Sequence, residues 1–97
     1  MLELRPNCEN CDKLLPNESL EAMICTFECT FRAECVTNVL QNVCPNCGGG
    51  FEKRPVRPVG LLEKYPASTK RVFQPIDQDK FRMLLERYGD VKPQERK

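Results

Sequence analysis

Histidine and tryptophan are absent from the 97-residue chain, and aromatic residues make up only 7% of it. Without histidine the chain lacks the commonest general base of enzymes and every histidine-dependent nucleophile triad, so we expect a protein without enzymatic activity. A chain this short with so few large apolar side chains does not complete a core by burial alone. It needs cross-links, either disulfide bonds or bound metal.

Long apolar runs are also missing. No segment approaches the roughly 18 apolar residues of a membrane span, and residues 1–8 contain no apolar stretch of the kind that begins a secretory signal. We therefore predict a cytoplasmic protein with no membrane partner. In that reducing compartment, clustered cysteines bind metal more often than they form disulfide bonds.

The chain does have seven cysteines. Two Cys-x-x-Cys units flank a middle group of three, in the order Cys8, Cys11, Cys25, Cys29, Cys35, Cys44 and Cys47. Sulfurs so spaced in a tight turn can bind one tetrahedral ion, so the pattern predicts one or two Zn²⁺. Pro45 and Gly48 suit such a zinc knuckle, because proline fixes φ and glycine can adopt a positive φ. An odd number of cysteines also leaves one thiol unpaired in any disulfide framework.

Local patterns between the two units indicate a hairpin and a helix. Residues 21–27 are rich in apolar and β-branched side chains, which predicts a short strand. This strand would lead into a hairpin that carries Cys25 and Cys29. Apolar spacing then predicts a helix over about 33–42, with Cys35 in its first turn, where the helix N-terminus favours a thiolate. The fold class that follows is a small metal-stabilised α+β domain of treble-clef or RING-like layout.

Charge and composition change after residue 50. Residues 1–50 carry three basic and seven acidic groups, whereas residues 51–97 carry twelve basic and seven acidic groups. We divide the chain into a cysteine-rich zinc-binding domain over 1–54, a proline-containing extended arm over 55–75, and an amphipathic C-terminal helix with a frayed tail over 76–97.

The C-terminal helix is predicted from an apolar face with helical spacing. Asp77 is the expected N-cap and Gly89 the expected C-terminal stop. The face consists of Phe81, Leu84, Leu85 and Tyr88. We expect this face to pack on its own domain, with a protein partner or a second copy of the chain as the alternative.

The cysteine order resembles the cross-brace of RING-type domains, in which four ligand pairs bind two zinc ions alternately. By that resemblance, Cys25, Cys29, Cys44 and Cys47 form a complete site. Cys8, Cys11 and Cys35 form an incomplete site, because position 32 holds Arg32, whose guanidinium is a donor only and cannot bind a metal. The features that RING-type ubiquitin ligases usually show around these positions are missing, with Pro45 as the exception, so we do not expect ligase activity.

The chain also resembles a bacterial family of small cysteine-rich proteins, domain of unknown function 1272. The resemblance covers roughly residues 1–73 and is carried, in order, by MLELRPNC (1–8), ICTFECTF (24–31), VCPNCGG (43–49), RPVRP (54–58) and YPASTKRV (65–72). It implies metal binding and no assigned activity. Members of the family usually have a cysteine where this chain has Arg32.

Three arrangements of the incomplete site stay open. A carboxylate such as Asp12 or Glu34, or a water molecule, could complete the zinc shell. The site could instead be empty, with three reduced thiols. Alternatively, the ligands could regroup, with the two Cys-x-x-Cys units binding a single ion.

Three classes of function remain. The first is a zinc-stabilised module that binds a protein partner. The second is nonspecific nucleic-acid binding through a basic arm, although such charges more often pair with acidic groups of their own chain; the arm consists of Lys53, Arg54, Arg57, Lys64, Lys70 and Arg71. The third is redox chemistry, either at a rubredoxin-like iron site or at a thiol sensor beside Arg32.

Overall fold

The computed structural model describes all 97 residues and centres on a three-stranded antiparallel sheet with strand order β2-β1-β3. Met23 of the middle strand pairs with Phe31 on one side and Lys53 on the other. The predicted hairpin is present, with both of its cysteines in the connection between β1 and β2. The third strand was not predicted, because it precedes a proline-rich stretch. The strands are β1 (Ala22–Ile24), β2 (Thr30–Arg32) and β3 (Glu52–Lys53).

The helix predicted over 33–42 is present in an altered form. A single α-helical turn, α1 (Ala33–Cys35), continues directly into a π-helical turn over Val36–Leu40. Gln41 and Asn42 follow with left-handed φ values of 49° and 62°. These two residues end the helix and turn the chain towards the second Cys-x-x-Cys unit.

The C-terminal helix α2 (Gln78–Tyr88) begins where the sequence predicts. The Asp77 carboxylate accepts hydrogen bonds from the backbone N–H groups of Asp79 and Lys80, at 3.1 and 3.3 Å. The helix ends before Gly89 as expected, although Gly89 has a right-handed φ of −56° and not the left-handed value typical of a glycine stop. Single 3₁₀ turns lie at Val59–Leu61 and Pro93–Glu95. No helix of the protein has the length and apolar character needed to cross a membrane.

The apolar face of α2 packs on the cysteine-rich core. Phe81 is buried in that core, and Leu84, Leu85 and Tyr88 pack against it while partly exposed. The Tyr88 ring lies so close to Gly48 that a Cβ there would be 2.9 Å from its Cε2. The tail adds to this contact, because the Arg96 guanidinium donates to the carbonyl oxygen of Gly48 at 3.0 Å. The C-terminal segment is therefore held against the second Cys-x-x-Cys unit.

The main core is small and rich in sulfur. One cluster contains 13 buried residues, and five of them are cysteines. Phe31 and Phe51 meet edge to face within it, with ring centroids 5.4 Å apart. Since only 20 of the 97 residues are buried, apolar contacts supply a limited share of the stability.

Arg54 is a structural residue. The sequence placed it in a basic arm, but it is 1% exposed, and this burial lowers the pKa of its guanidinium. The guanidinium donates to the backbone carbonyls of Arg5, Leu15 and Pro16, each at 2.9 Å. It thereby ties the chain after β3 to the N-terminal segment.

The rest of the arm packs back on the cysteine-rich domain. Arg57 donates to the carbonyl oxygens of Leu2 and Tyr65, at 2.7 and 2.8 Å. The Asn7 side-chain amide donates to the carbonyl of Val72 at 2.9 Å. Backbone bonds from Ser68 to Leu4 and from Gln74 to Glu9 continue the contact, at 2.9 and 2.8 Å.

Replacing Arg54 tests this anchor. Arg54→Leu leaves the carbonyls of Arg5 and Leu15 without this donor, while that of Pro16 keeps a bond from the Ser19 N–H, so we expect the free energy of unfolding to fall by about 3 kcal/mol. Lys53→Leu, one residue earlier on exposed β3, is the matched control and should leave it nearly unchanged. Chemical denaturation followed by circular dichroism measures both; equal effects would contradict the assignment.

Gly48 provides a second test. Gly48 has a φ of +79°, and the Tyr88 ring lies against its Cα. Gly48→Ala should therefore lower the free energy of unfolding by about 1–2 kcal/mol through backbone strain alone, and the overlap of the new Cβ with the ring should lower it further. Gly60→Ala adds a Cβ that meets nothing within 4 Å and is the control. Thermal denaturation should separate the two variants; a Gly48→Ala protein as stable as Gly60→Ala would show that α2 does not dock there.

Candidate metal centres

The first centre consists of Cys8, Cys11 and Cys35, whose sulfurs all lie within 4.8 Å of one another. The Sγ atoms of Cys8 and Cys35 are 3.8 Å apart. This distance is far longer than the ~2.05 Å of a disulfide bond. It matches the edge of about 3.8 Å that follows from a tetrahedron with Zn–S bonds of 2.3 Å. The trio therefore fits a metal ion.

The second centre consists of Cys25, Cys44 and Cys47, whose sulfurs are likewise within 4.8 Å of one another. Cys29 lies outside this group, although interactions with the thiols of Cys44 and Cys25 affect the pKa of its own thiol. Three of the four cysteines of the predicted complete site thus form one group, and Cys29 is not part of it. The two Cys-x-x-Cys units belong to separate groups of sulfurs, which supports two sites over the regrouped single-ion arrangement.

The two Cys-x-x-Cys units fold as equivalent knuckles. In the first, the backbone N–H of Asp12 donates to the carbonyl of Cys8 at 2.9 Å; in the second, that of Gly48 donates to the carbonyl of Cys44 at 2.8 Å. Asp12 and Gly48 have left-handed φ values of 64° and 79°. The positive φ predicted for Gly48 is confirmed. Aspartate adopts this conformation more readily than most side chains, which allows the same turn in the first unit.

Backbone amides point at several of the sulfurs. Phe27 N–H donates to Cys25 Sγ at 3.3 Å, and Gly49 N–H donates to Cys47 Sγ at 3.4 Å. Such bonds stabilise negative charge on sulfur, which is the form that binds metal.

Charge at the second centre is concentrated on one sulfur. The hydrogen bond from Cys44 lowers the pKa of the Cys29 thiol to about 5 despite burial, with help from the Asn46 amide, whose Nδ2 is 3.4 Å from Cys29 Sγ. The same hydrogen bond, together with burial, raises the pKa of Cys44, and burial raises the pKa of Cys25 to about 11. A metal ion bound here would displace the protons that the raised pKa values keep on Cys44 and Cys25.

At the first centre, the pKa of the helical cysteine, Cys35, is raised, in contrast to the lowered pKa of Cys29 at the second. Burial and the charge of Cys8 raise the pKa of Cys35 to about 12, although Asn10 donates to its Sγ at 3.4 Å. Burial therefore opposes the thiolate that the sequence predicts for Cys35 at the helix start. At exposed Cys11, burial also acts to raise the pKa, but the backbone N–H of Lys13, the neighbouring thiols and the Arg32 guanidinium lower it overall.

Arg32, at the gap in the cysteine pattern, is paired with two carboxylates. Its Nε is 3.5 Å from Glu21 and its Nη2 is 2.8 Å from Glu34, and its guanidinium also helps to lower the pKa of the Cys11 thiol. Neither Glu34 nor Asp12 belongs to the group of sulfurs. Asp12 instead pairs with the Arg71 guanidinium, whose Nε is 2.9 Å from its Oδ1.

Glu9 is the functional-site residue that sequence reasoning missed. It lies within the first knuckle and is 3% exposed; burial and the nearby Cys29 charge raise its pKa. Its carboxylate accepts from Thr30 N–H at 3.0 Å and from the Asn46 amide of the second knuckle at 3.3 Å. The sequence did offer one sign of this role, because Glu9 is a carboxylate inside a Cys-x-x-Cys unit. Glu9 connects the two centres.

The fold and site define a small α+β protein with two cysteine clusters that could each hold a metal ion. The family described as "Protein of unknown function (DUF1272)" matches residues 1–57, and the chain belongs to this family. It is also similar to the uncharacterized protein R02474 of Rhizobium meliloti (strain 1021), being 63% identical over 75 residues, which cover 77% of this chain and 89% of that protein. The comparison with solved structures gives no significant match.

The unequal burial of the two centres gives a prediction. Cys44 is 0% exposed and part of the main core, whereas Cys11 is exposed. We expect Cys44→Ser and Cys11→Ser each to lower the bound metal by about one equivalent, but only Cys44→Ser to unfold much of the domain. Elemental mass spectrometry and circular dichroism measure the two effects. Equal loss of structure in both variants would contradict this ranking.

Proposed function

We propose that this chain is a non-enzymatic zinc protein whose metal is structural and whose surface binds a protein partner. The observation that carries the proposal is the gathering of six cysteines into two clusters, four of whose members belong to the 13-residue main core. Metal binding at these positions contributes directly to folding. For structural zinc the apparent binding free energy is about 10–16 kcal/mol, enough to offset the entropy that so small a core leaves uncompensated.

Zinc fits the donors better than other metals. Cys25, Cys29, Cys44 and Cys47 would hold one ion through four sulfurs, the closed shell of a structural site. Cys8, Cys11 and Cys35 would hold the other. Zinc has no redox chemistry, and its role here would be to cross-link the two knuckles to the hairpin and to α1. A rubredoxin-like iron would use the same second set of sulfurs, and colour distinguishes the two metals.

A protein-binding role is supported by an apolar depression beside the N-terminus. This depression, with a volume of about 240 Å³, is lined in part by Met1, Val56 and Leu61, which are 85%, 47% and 47% exposed. These three side chains offer a partner a small apolar contact surface. Because the inner face of α2 already packs on the core, we favour this depression as the partner surface; pairing through α2 stays a prediction.

The internal bonds of the basic arm weigh against nucleic-acid binding. Arg54 and Arg57 donate to backbone carbonyls, and Arg71 pairs with Asp12. These three arginines are engaged with their own chain, so the arm offers phosphates mainly its lysines. The charge difference between the two halves of the sequence thus favours contacts within the molecule.

Metal analysis tests the zinc assignment. We expect about two zinc ions per chain by elemental mass spectrometry of colourless protein purified without chelator. Removing them should unfold the cysteine-rich domain, and adding zinc back should restore its circular dichroism spectrum. A metal-free protein with an unchanged spectrum would refute a structural metal, and red iron-loaded protein would refute zinc.

A photo-crosslinker placed in the depression tests the partner. Introduced at Leu61 in the full chain and activated in cells, it should yield one defined protein adduct, which mass spectrometry identifies. The same group at Glu52, on exposed polar β3, is the control and should not yield that adduct. Identical adducts at both positions, or none at Leu61, would count against this surface.

A further inference from the structure

We propose that Arg96, in the C-terminal tail, is a positioning residue of the second metal centre. It holds the two ends of the second knuckle together and so slows the release of metal from that centre alone. This inference rests on the proposed function, because it requires metal bound at Cys44 and Cys47. It adds a control on how long the metal stays bound, exerted by a tail that contains no cysteine.

The first step is the geometry of the Arg96 guanidinium. Its Nη1 donates to the carbonyl oxygens of Asn42 and Gly48, each at 3.0 Å. Asn42 stands two residues before Cys44, and Gly48 directly follows Cys47. No other hydrogen bond of the structure reaches either carbonyl. A single nitrogen therefore bridges the chain where it enters and where it leaves the metal-binding turn.

The second step is the anchoring of the tail itself. The Arg96 Nε donates to the carbonyl of Val91 at 3.0 Å, and the guanidinium carbon lies 5.8 Å from the centroid of the Tyr88 ring. Pro93 packs against Gly50, where an added Cβ would be 2.6 Å from the proline Cγ. These contacts hold the guanidinium in place, so its bonds to the knuckle require little further ordering.

The third step connects this bridge to metal release. A bound ion leaves when a ligand turns away from it, which requires local opening of the knuckle. Cys47 is not buried, so solvent already reaches the centre, and opening of the turn is the step that limits release. Arg96 opposes that opening with hydrogen bonds from a charged donor, which are stronger than those between neutral groups.

The first centre is anchored separately. The Asn7 side-chain amide donates to the carbonyl of Cys8 at 3.1 Å and to that of Val72 at 2.9 Å. The hydrogen bonds of the tail do not extend to the first knuckle. Arg96 should therefore affect metal release from one centre and not from the other, which a residue that only stabilises the fold would not do.

Zinc release from the full chain tests the proposal. Zinc-loaded protein is mixed with excess 4-(2-pyridylazo)resorcinol, whose absorbance reports the zinc that leaves. Arg96→Met removes the donors but keeps the apolar stem beside the Tyr88 ring. It should release the second-centre zinc about tenfold faster, as expected for the loss of a charge-assisted hydrogen bond, and the other zinc at the wild-type rate. Cys11→Ser, which should retain only the second-centre zinc, assigns the two phases.

Arg82→Met, on exposed surface of α2, is the matched control and should release both ions at the wild-type rates. Arg96→Lys retains a charged donor and should slow release again relative to Arg96→Met. Equal release of the second-centre zinc from Arg96→Met and Arg82→Met would overturn the role of Arg96 while leaving the metal-binding function intact. Equally faster loss from both centres would overturn it too, because Arg96 would then only stabilise the fold. Wild-type protein that binds no zinc would overturn both this inference and the proposed function.

Discussion

The structure depends on bringing acidic sulfur groups together inside a small core. Five cysteines belong to the main cluster of 13 buried residues, and neighbouring thiols lie close enough to share protons. Apolar burial alone tolerates such groups only while they stay neutral. Yet the fold directs amides at several sulfurs and lowers the pKa of the Cys29 thiol, so it stabilises negative charge on sulfur. A cation at each centre would balance that charge and cross-link the surrounding segments.

Side-chain hydrogen bonds, as well as the sheet, connect the two centres. Glu9 extends from the first knuckle to accept a hydrogen bond from Asn46 in the second, and Asn46 also donates towards Cys29. Arg5 adds a charge on the other side, with its Nη1 3.4 Å from the Glu9 carboxylate. The buried Glu9 carboxylate thus has a partner on each side. Its position explains how the two knuckles, which are far apart in sequence, are held in a fixed orientation to each other.

Much of the local structure could be predicted from the sequence, because short-range rules govern it. The hairpin around Cys25, the Asp77 cap and the left-handed Gly48 each depend on a few neighbouring residues. The separation of the sulfurs into two groups followed from the resemblance to a cross-brace. Sequence predictions were poorer where the outcome depends on how deeply a side chain is buried. Arg54 was predicted to be a surface charge but is buried, and burial opposes the thiolate predicted for Cys35. Residue spacing carries no information about how deeply a side chain will lie.

Arg54 also determines when the first knuckle can be completed. Its guanidinium bonds to the carbonyl of Arg5, 49 residues earlier, and to that of Leu15, 39 residues earlier. During synthesis the N-terminal cysteines leave the ribosome well before this arginine does, and chains grow at about 5–20 residues per second. For several seconds the first thiols are therefore available without the clamp that later fixes their loop. The first knuckle thus emerges early but becomes rigid only after residue 54 has been synthesised.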